Sequence, residues 1–134
     1  MRVLTLGTFG VPHMGHAAFL RRSEAFGQLT VAINSDAFVE RYKGSRPPFT
    51  EDERLAIVAA LGYPVVLNDG PGREVIEALR PDVITIGTDW ARRDYLAQID
   101  VTQDRLDALG ITIAYVPVRP AGISSTEIAR RCRP

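Results

Sequence analysis

Two histidines, His13 and His16, stand three residues apart in the stretch Gly7-Thr8-Phe9-Gly10-Val11-Pro12-His13-Met14-Gly15-His16, and the chain has no others. An apolar run, Val3-Leu4-Thr5-Leu6, comes before it and an amphipathic run, Ala17-Ala18-Phe19-Leu20, comes after. That order reads as strand, tight turn and helix start. Free N–H groups and the helix dipole make such a terminus an anion site. Gly15 lets a phosphate approach the backbone with no side chain in the way. Two imidazoles placed there can donate to the same phosphate oxygens, most strongly when charged. The chemistry is charge stabilisation at phosphorus. Two other readings stand beside it. A shared zinc needs about three or four protein ligands, and the chain offers only these histidines and Cys132, with no Glu inside the motif. In a purely structural reading, His13 caps the helix and His16 packs on its flank.

Gly7, Thr8, Phe9, His13, Gly15 and His16 together resemble the nucleotidyltransferases that carry a His-x-Gly-His motif. The likeness is strongest to the glycerol-3-phosphate cytidylyltransferase type. Phosphopantetheine and nicotinamide mononucleotide adenylyltransferases share the motif more distantly, and class I aminoacyl-tRNA synthetases need domains that 134 residues leave no room for. Gly10 departs from the pattern, since these cytidylyltransferases typically have Asp there. A second departure is Gly62-Tyr63, where the resemblance leads to an Arg-Tyr pair.

Three further stretches carry the resemblance. Arg41 to Phe49 is similar to the basic segment that covers the nucleotide phosphates; Lys43 and Arg46 fit that role, and Arg41 reads as solvated. Arg54 matches the arginine after the acidic helix cap, with a surface ion pair to Glu51 or Asp52 as its alternative. Gly87-Thr88-Asp89-Trp90 resembles a Gly-Asp-Asp-Trp turn in which Gly87 and Asp89 read the base. Trp90 walls the substrate pocket or belongs to the core, and the insert Arg92 to Tyr95 contacts the acceptor or a neighbouring subunit. Arg119-Pro120-Ala121-Gly122-Ile123-Ser124-Ser125-Thr126 resembles the Arg-Thr-x-Gly-Ile-Ser-(Ser/Thr)-Thr run. There Arg119 clamps phosphate oxygens and Ser124 caps a helix facing them; the alternative is an ordinary capped surface helix.

The resemblance implies direct attack by an acceptor phosphate on the nucleotide α-phosphorus. His13, His16, Lys43 and Arg119 would carry catalysis. Gly7, Thr8, Phe9, Gly15, Arg46, Gly87, Asp89, Ile123, Ser124, Ser125 and Thr126 would bind nucleotide, and Gly10, Arg54 and Trp90 the acceptor. The expected partners are CTP and a small phosphomonoester such as glycerol 3-phosphate. Mg²⁺ would be held mainly by the phosphates, and a homodimer is the common assembly. An adenylyltransferase using ATP, of the archaeal FAD synthetase kind, is the second enzyme reading. A non-catalytic nucleotide-binding protein is the third.

The positioning elements follow from patterning. Strands are expected at 3–8, 29–34, 65–67, 83–87 and 112–116, and helices at 15–25 (ended by Gly27), 36–41, 72–80 and 102–109, with two more after the capping boxes at Thr50 and Ser124. Alternation of this kind builds a parallel sheet covered on both faces. The resemblance implies a Rossmann-like α/β sheet of five strands in order 3-2-1-4-5, the site lying between strands one and four. One domain, 1–134, is expected from the length. Sixteen basic and sixteen acidic residues cancel, which argues against bulk binding to nucleic acid or a membrane surface. A lone cysteine forms no internal disulfide and fits a reducing cytosol, hence a cytoplasmic protein. No signal peptide or membrane-length apolar run is visible.

Overall fold

The computed structural model describes residues 1–88 and 94–117. Five parallel strands form one sheet in the order β3-β2-β1-β4-β5. They are β1 (Arg2–Gly7), β2 (Gln28–Asn34), β3 (Val65–Asn68), β4 (Val83–Gly87) and β5 (Thr112–Val116). The helices between them are α1 (Met14–Glu24), α2 (Asp36–Lys43), α3 (Glu51–Ala60), α4 (Arg73–Leu79), α5 (Tyr95–Ile99) and α6 (Gln103–Leu109). The expected α/β class and strand order are therefore those observed. Among the described residues no helix is long and apolar enough to cross a membrane.

Side chains of a strand alternate between faces, so a sheet buried on both sides needs apolar residues at successive positions. Val3, Leu29, Val31, Ile33 and Val83 pack on one face with Phe19 and Leu20 of α1 and Val58 of α3. Leu4, Leu6, Ala32, Ile84 and Ile86 pack on the other with Ile76, Ile99 and Leu106 from α4, α5 and α6. Thr5 interrupts the apolar series at the centre, and its hydroxyl donates to the Thr85 carbonyl oxygen at 2.9 Å.

Several element bounds shift by one residue from the sequence-based expectation, and three differences concern α2, α1 and the insert before β5. α2 runs on to Lys43, because the chain turns only at Gly44, which adopts φ 83° as the left-handed cap. Tyr42 stays helical with its ring 4.9 Å from that of Phe38. α1 ends at Glu24 with Ala25 as its cap, two residues before Gly27. The insert before β5 contains α5, capped by Asp94, whose side chain accepts from the Ala97 N–H. Tyr95 is buried in the core rather than presented to an acceptor or a subunit.

Candidate active site

The motif occupies the place where the sheet opens. β1 pairs with β2 as far as Gly7–Ile33, but with β4 only as far as Thr5–Thr85. Beyond that point the tips of β1 and β4 part, at the switch point of the strand order. Gly7 and Gly87 flank this opening at corresponding levels of the two strands.

The chain then turns sharply. Phe9 takes φ 51° and buries its ring, which packs edge-on to His16 with ring centroids 4.8 Å apart. A Cβ on Gly7 would lie 2.8 Å from that ring, so glycine is required for close packing under the turn. Gly10 is different: a Cβ there would meet Pro47 at 3.5 Å, an ordinary contact.

His13 is the N-cap of α1, and its Nδ1 accepts from the Gly15 N–H at 3.0 Å. His16 reaches back, and its Nδ1 accepts from the His13 N–H at 3.3 Å. The two imidazoles thus make a reciprocal capping box. Their rings stack 4.0 Å apart at 22°. A neutral ring accepting at Nδ1 carries its proton on Nε2, so both histidines keep an Nε2–H as a donor. Burial lowers the His13 pKa. Burial, and then the neighbouring His13, push that of His16 down to about 4. Near neutral pH His16 therefore donates as a neutral ring, not in the charged form in which an imidazole donates most strongly, and a proton on Nδ1 would break the cap. The capping role and the phosphate role are compatible, because they use different nitrogens. With both Nδ1 atoms engaged, a zinc site loses half its imidazole nitrogens. Among the described residues no cluster of three His, Cys, Asp or Glu is placed to hold a metal.

Arg54 was expected at the acceptor or in a surface ion pair, and the structure corrects both. It is completely buried. Its Nη1 donates to the carbonyl oxygens of Thr8 at 2.6 Å and Asn34 at 2.7 Å, its Nε to that of Phe49 at 3.0 Å, and its Nη2 to Asp36 Oδ1 at 2.7 Å. A guanidinium has five N–H donors, and four are engaged in holding backbone and Asp36. Burial would raise the Asp36 pKa, but the Arg54 hydrogen bond and the Glu51 N–H outweigh it and hold the carboxyl below its ordinary value.

Thr8 is held at its side chain as well. Its Oγ1 accepts from Asn34 Nδ2 at 3.1 Å and lies 3.1 Å from the Tyr42 hydroxyl. Asn34 Oδ1 accepts in turn from Asn68 Nδ2 at 2.9 Å. This polar ladder across the tips of β1, β2 and β3 was not anticipated. Its signal was the Asn34-Ser35-Asp36 run at the end of an otherwise apolar strand. Lys43 sits at the end of α2 with its Nζ 5.7 Å from the Tyr42 ring centroid. Arg46 Nε donates to Glu40 Oε2 at 2.6 Å and its side chain is 62% exposed, so the second basic residue is paired to α2 in this structure. Gly62 lies after α3 at the amino edge of the sheet, opposite the motif, beside Tyr63, whose hydroxyl donates to Glu24. Its departure from the family pattern therefore lies away from the histidine pair. Asp89, Trp90, Arg119, Ile123, Ser124, Ser125 and Thr126 lie outside the described residues.

The histidine-capped start of α1 thus lies at the switch point of an open parallel sheet, the crevice in which α/β proteins of this doubly wound class bind their ligands. Residues 4–131 match the cytidylyltransferase-like family, and the chain belongs to it. Among curated proteins, the bifunctional protein HldE of Syntrophotalea carbinolica is 36% identical over 134 residues, covering 96% of this chain and 26% of that protein. HldE of Helicobacter pylori is 35% identical over 113 residues, covering 81% and 24%. The chain thus spans about a quarter of the length of these relatives. A lipopolysaccharide core biosynthesis protein from Thermoplasma volcanium superposes with a TM-score of 0.68 at 29% identity, covering 89% of this chain and 96% of that one. Pantoate-β-alanine ligase from Francisella tularensis shares the fold, with a TM-score of 0.58 at 16% identity over 96% of this chain and 65% of its own. The expected kinship with glycerol-3-phosphate cytidylyltransferases gives way to a likeness to HldE proteins within the same family.

Proposed function

We propose that the chain transfers an adenylyl group from ATP to the phosphate of a sugar phosphate, forming an ADP-sugar of the ADP-heptose kind and releasing pyrophosphate. The observation that carries the reaction class is the stacked pair of neutral imidazoles at the start of α1, with both Nε2–H groups left as donors. The choice of ATP and a sugar phosphate over CTP and glycerol 3-phosphate rests on the likeness to HldE proteins and to a protein of lipopolysaccharide core synthesis. Gly10 agrees with it, since the carboxylate typical of the glycerol-phosphate enzymes is missing.

In this reading a phosphate oxygen of the acceptor attacks the α-phosphorus. One P–O bond forms, the bond to the β-phosphate breaks, and pyrophosphate leaves with the electron pair. A phosphate monoester is largely dianionic at neutral pH, its second pKa being about 6, so no enzyme nucleophile or base is required. Positioning and charge stabilisation do the work. His13 and His16 donate to the α-phosphate as charge builds. Lys43 and Arg119 hold the departing phosphates, with Arg46 joining once it leaves Glu40. Mg²⁺, when bound, would be held mainly by the phosphate oxygens and would supply charge neutralisation there.

Pyrophosphate release, measured with ATP and CTP in turn over sugar phosphates and glycerol 3-phosphate, tests the reading. ATP with a sugar phosphate is expected to give the highest kcat/KM. Preference for CTP with glycerol 3-phosphate would restore the cytidylyltransferase assignment, and no turnover with any pair would leave a nucleotide-binding protein.

A further inference from the structure

Tyr42 lies within the basic stretch from Arg41 to Phe49, between residues with a phosphate or solvent role and with none of its own, yet it joins the end of α2 to the motif strand. Its ring is fixed from within α2 by Phe38, at 4.9 Å between centroids. Its hydroxyl lies 3.1 Å from Thr8 Oγ1. Thr8 is itself immobilised, its carbonyl by buried Arg54 and its Oγ1 by Asn34. The contact therefore ties α2 to a rigid point. Lys43 is the next residue, with its Nζ 5.7 Å from the Tyr42 ring centroid, and Gly44 reverses the chain immediately after. The last turn of α2 is exposed, so little apolar burial holds it in place.

We propose that Tyr42 is a positioning residue: its hydroxyl docks the last turn of α2 on Thr8 and so holds Lys43 where the β- and γ-phosphates of the nucleotide bind. The inference rests on the proposed nucleotidyl transfer. A long lysine side chain reaches phosphate from many backbone positions, and each lost freedom of the helix end raises the fraction of chains already poised.

Tyr42→Phe removes the hydroxyl and keeps the ring, its tilted contact with Phe38 and the face beneath Lys43. The variant should melt within about 2 °C of the parent, as expected for an exposed site. KM for the nucleoside triphosphate should rise by about three- to tenfold, the range for one net hydrogen bond, with kcat and the acceptor KM unchanged. Calorimetry with non-hydrolysable ATP and CTP analogues should show the same loss, and nucleoside monophosphates should show none. In a Lys43→Ala background, Tyr42→Phe should have no further effect, since the two act as one unit. Additive losses, equal loss for monophosphate, or tighter triphosphate binding would overturn the inference and leave the proposed function standing. Failure of the unaltered chain to bind either analogue would overturn both.

Discussion

His13 and His16 each work at two nitrogens, and the two jobs can be separated. Asn is as good an N-cap as any residue, whereas Ala in place of a capping side chain costs about 1 kcal/mol. His13→Asn should keep the melting temperature and lose turnover by roughly 10²–10³, the cost of one main charge-stabilising donor. His13→Ala should lose both. Steady-state kinetics beside thermal melts check this, and an active His13→Asn enzyme would remove the catalytic assignment. The same pair makes stability pH-dependent. Unfolded, His16 titrates near 6.5; folded, burial and His13 push it down to about 4. Between those values the unfolded chain binds the extra proton, so the contribution is complete above pH 6.5 and is lost as pH falls toward 4. His13 acts in the same direction. Gln at the third helical position also closes a capping box and does not titrate. Urea midpoints of the parent should therefore fall more steeply than those of His16→Gln between pH 7 and pH 4.5. Parallel curves would show that the neutral imidazole is not part of the cap.

At the scale of elements, Arg54 joins four of them. It belongs to α3 and bonds the tips of β1 and β2, the start of α2 through Asp36, and the loop before α3 through Phe49. Asp36 and Glu51 complete the junction, each N–H donating to the other's carboxylate at 3.0 and 3.2 Å. Removing one partner of a buried ion pair costs about 3–5 kcal/mol, because the other is left uncompensated. Arg54→Met should lose about that much in denaturant unfolding, and a loss under ~1 kcal/mol would show that solvent replaces the guanidinium. Arg54→Lys should rescue little, as an ammonium has three donors for four acceptors. Asp at Gly10 is a different test, because the site has room for a Cβ. Gly10→Asp should fold normally and shift kcat/KM toward glycerol 3-phosphate. An unchanged acceptor ratio would mean that another residue chooses the acceptor.

The whole molecule divides into a working edge and a supporting edge. The carboxyl ends of β1 and β4 carry the motif, while Gly62 and Tyr63 belong to the amino ends of β2 and β3. Gly62 adopts φ 100°, which side-chain-bearing residues rarely take. Gly62→Arg should cost about 1–2 kcal/mol of stability through that backbone strain. It should leave kcat/KM for every acceptor unchanged, and an altered acceptor ratio would show that the two edges communicate.

Local chemistry determined a large share of this from sequence alone. The bounds of β4 and β5 were legible because short apolar runs between turn residues leave few alternatives. The Thr50 capping box was legible because its hydrogen bonds close within four residues. The histidine pair announced itself by spacing, and the parallel sheet by alternation of element types. Tertiary structure decided what depends on residues far apart in the chain. Arg54 reads as an acceptor-binding residue or a helix-surface ion pair until three carbonyl oxygens, from Thr8, Asn34 and Phe49, converge on it. The ladder Tyr42–Thr8–Asn34–Asn68 needs three strand tips side by side. The protonation of the histidines turned on burial, which spacing does not report: desolvation favours the neutral ring, and the neutral ring is what caps the helix.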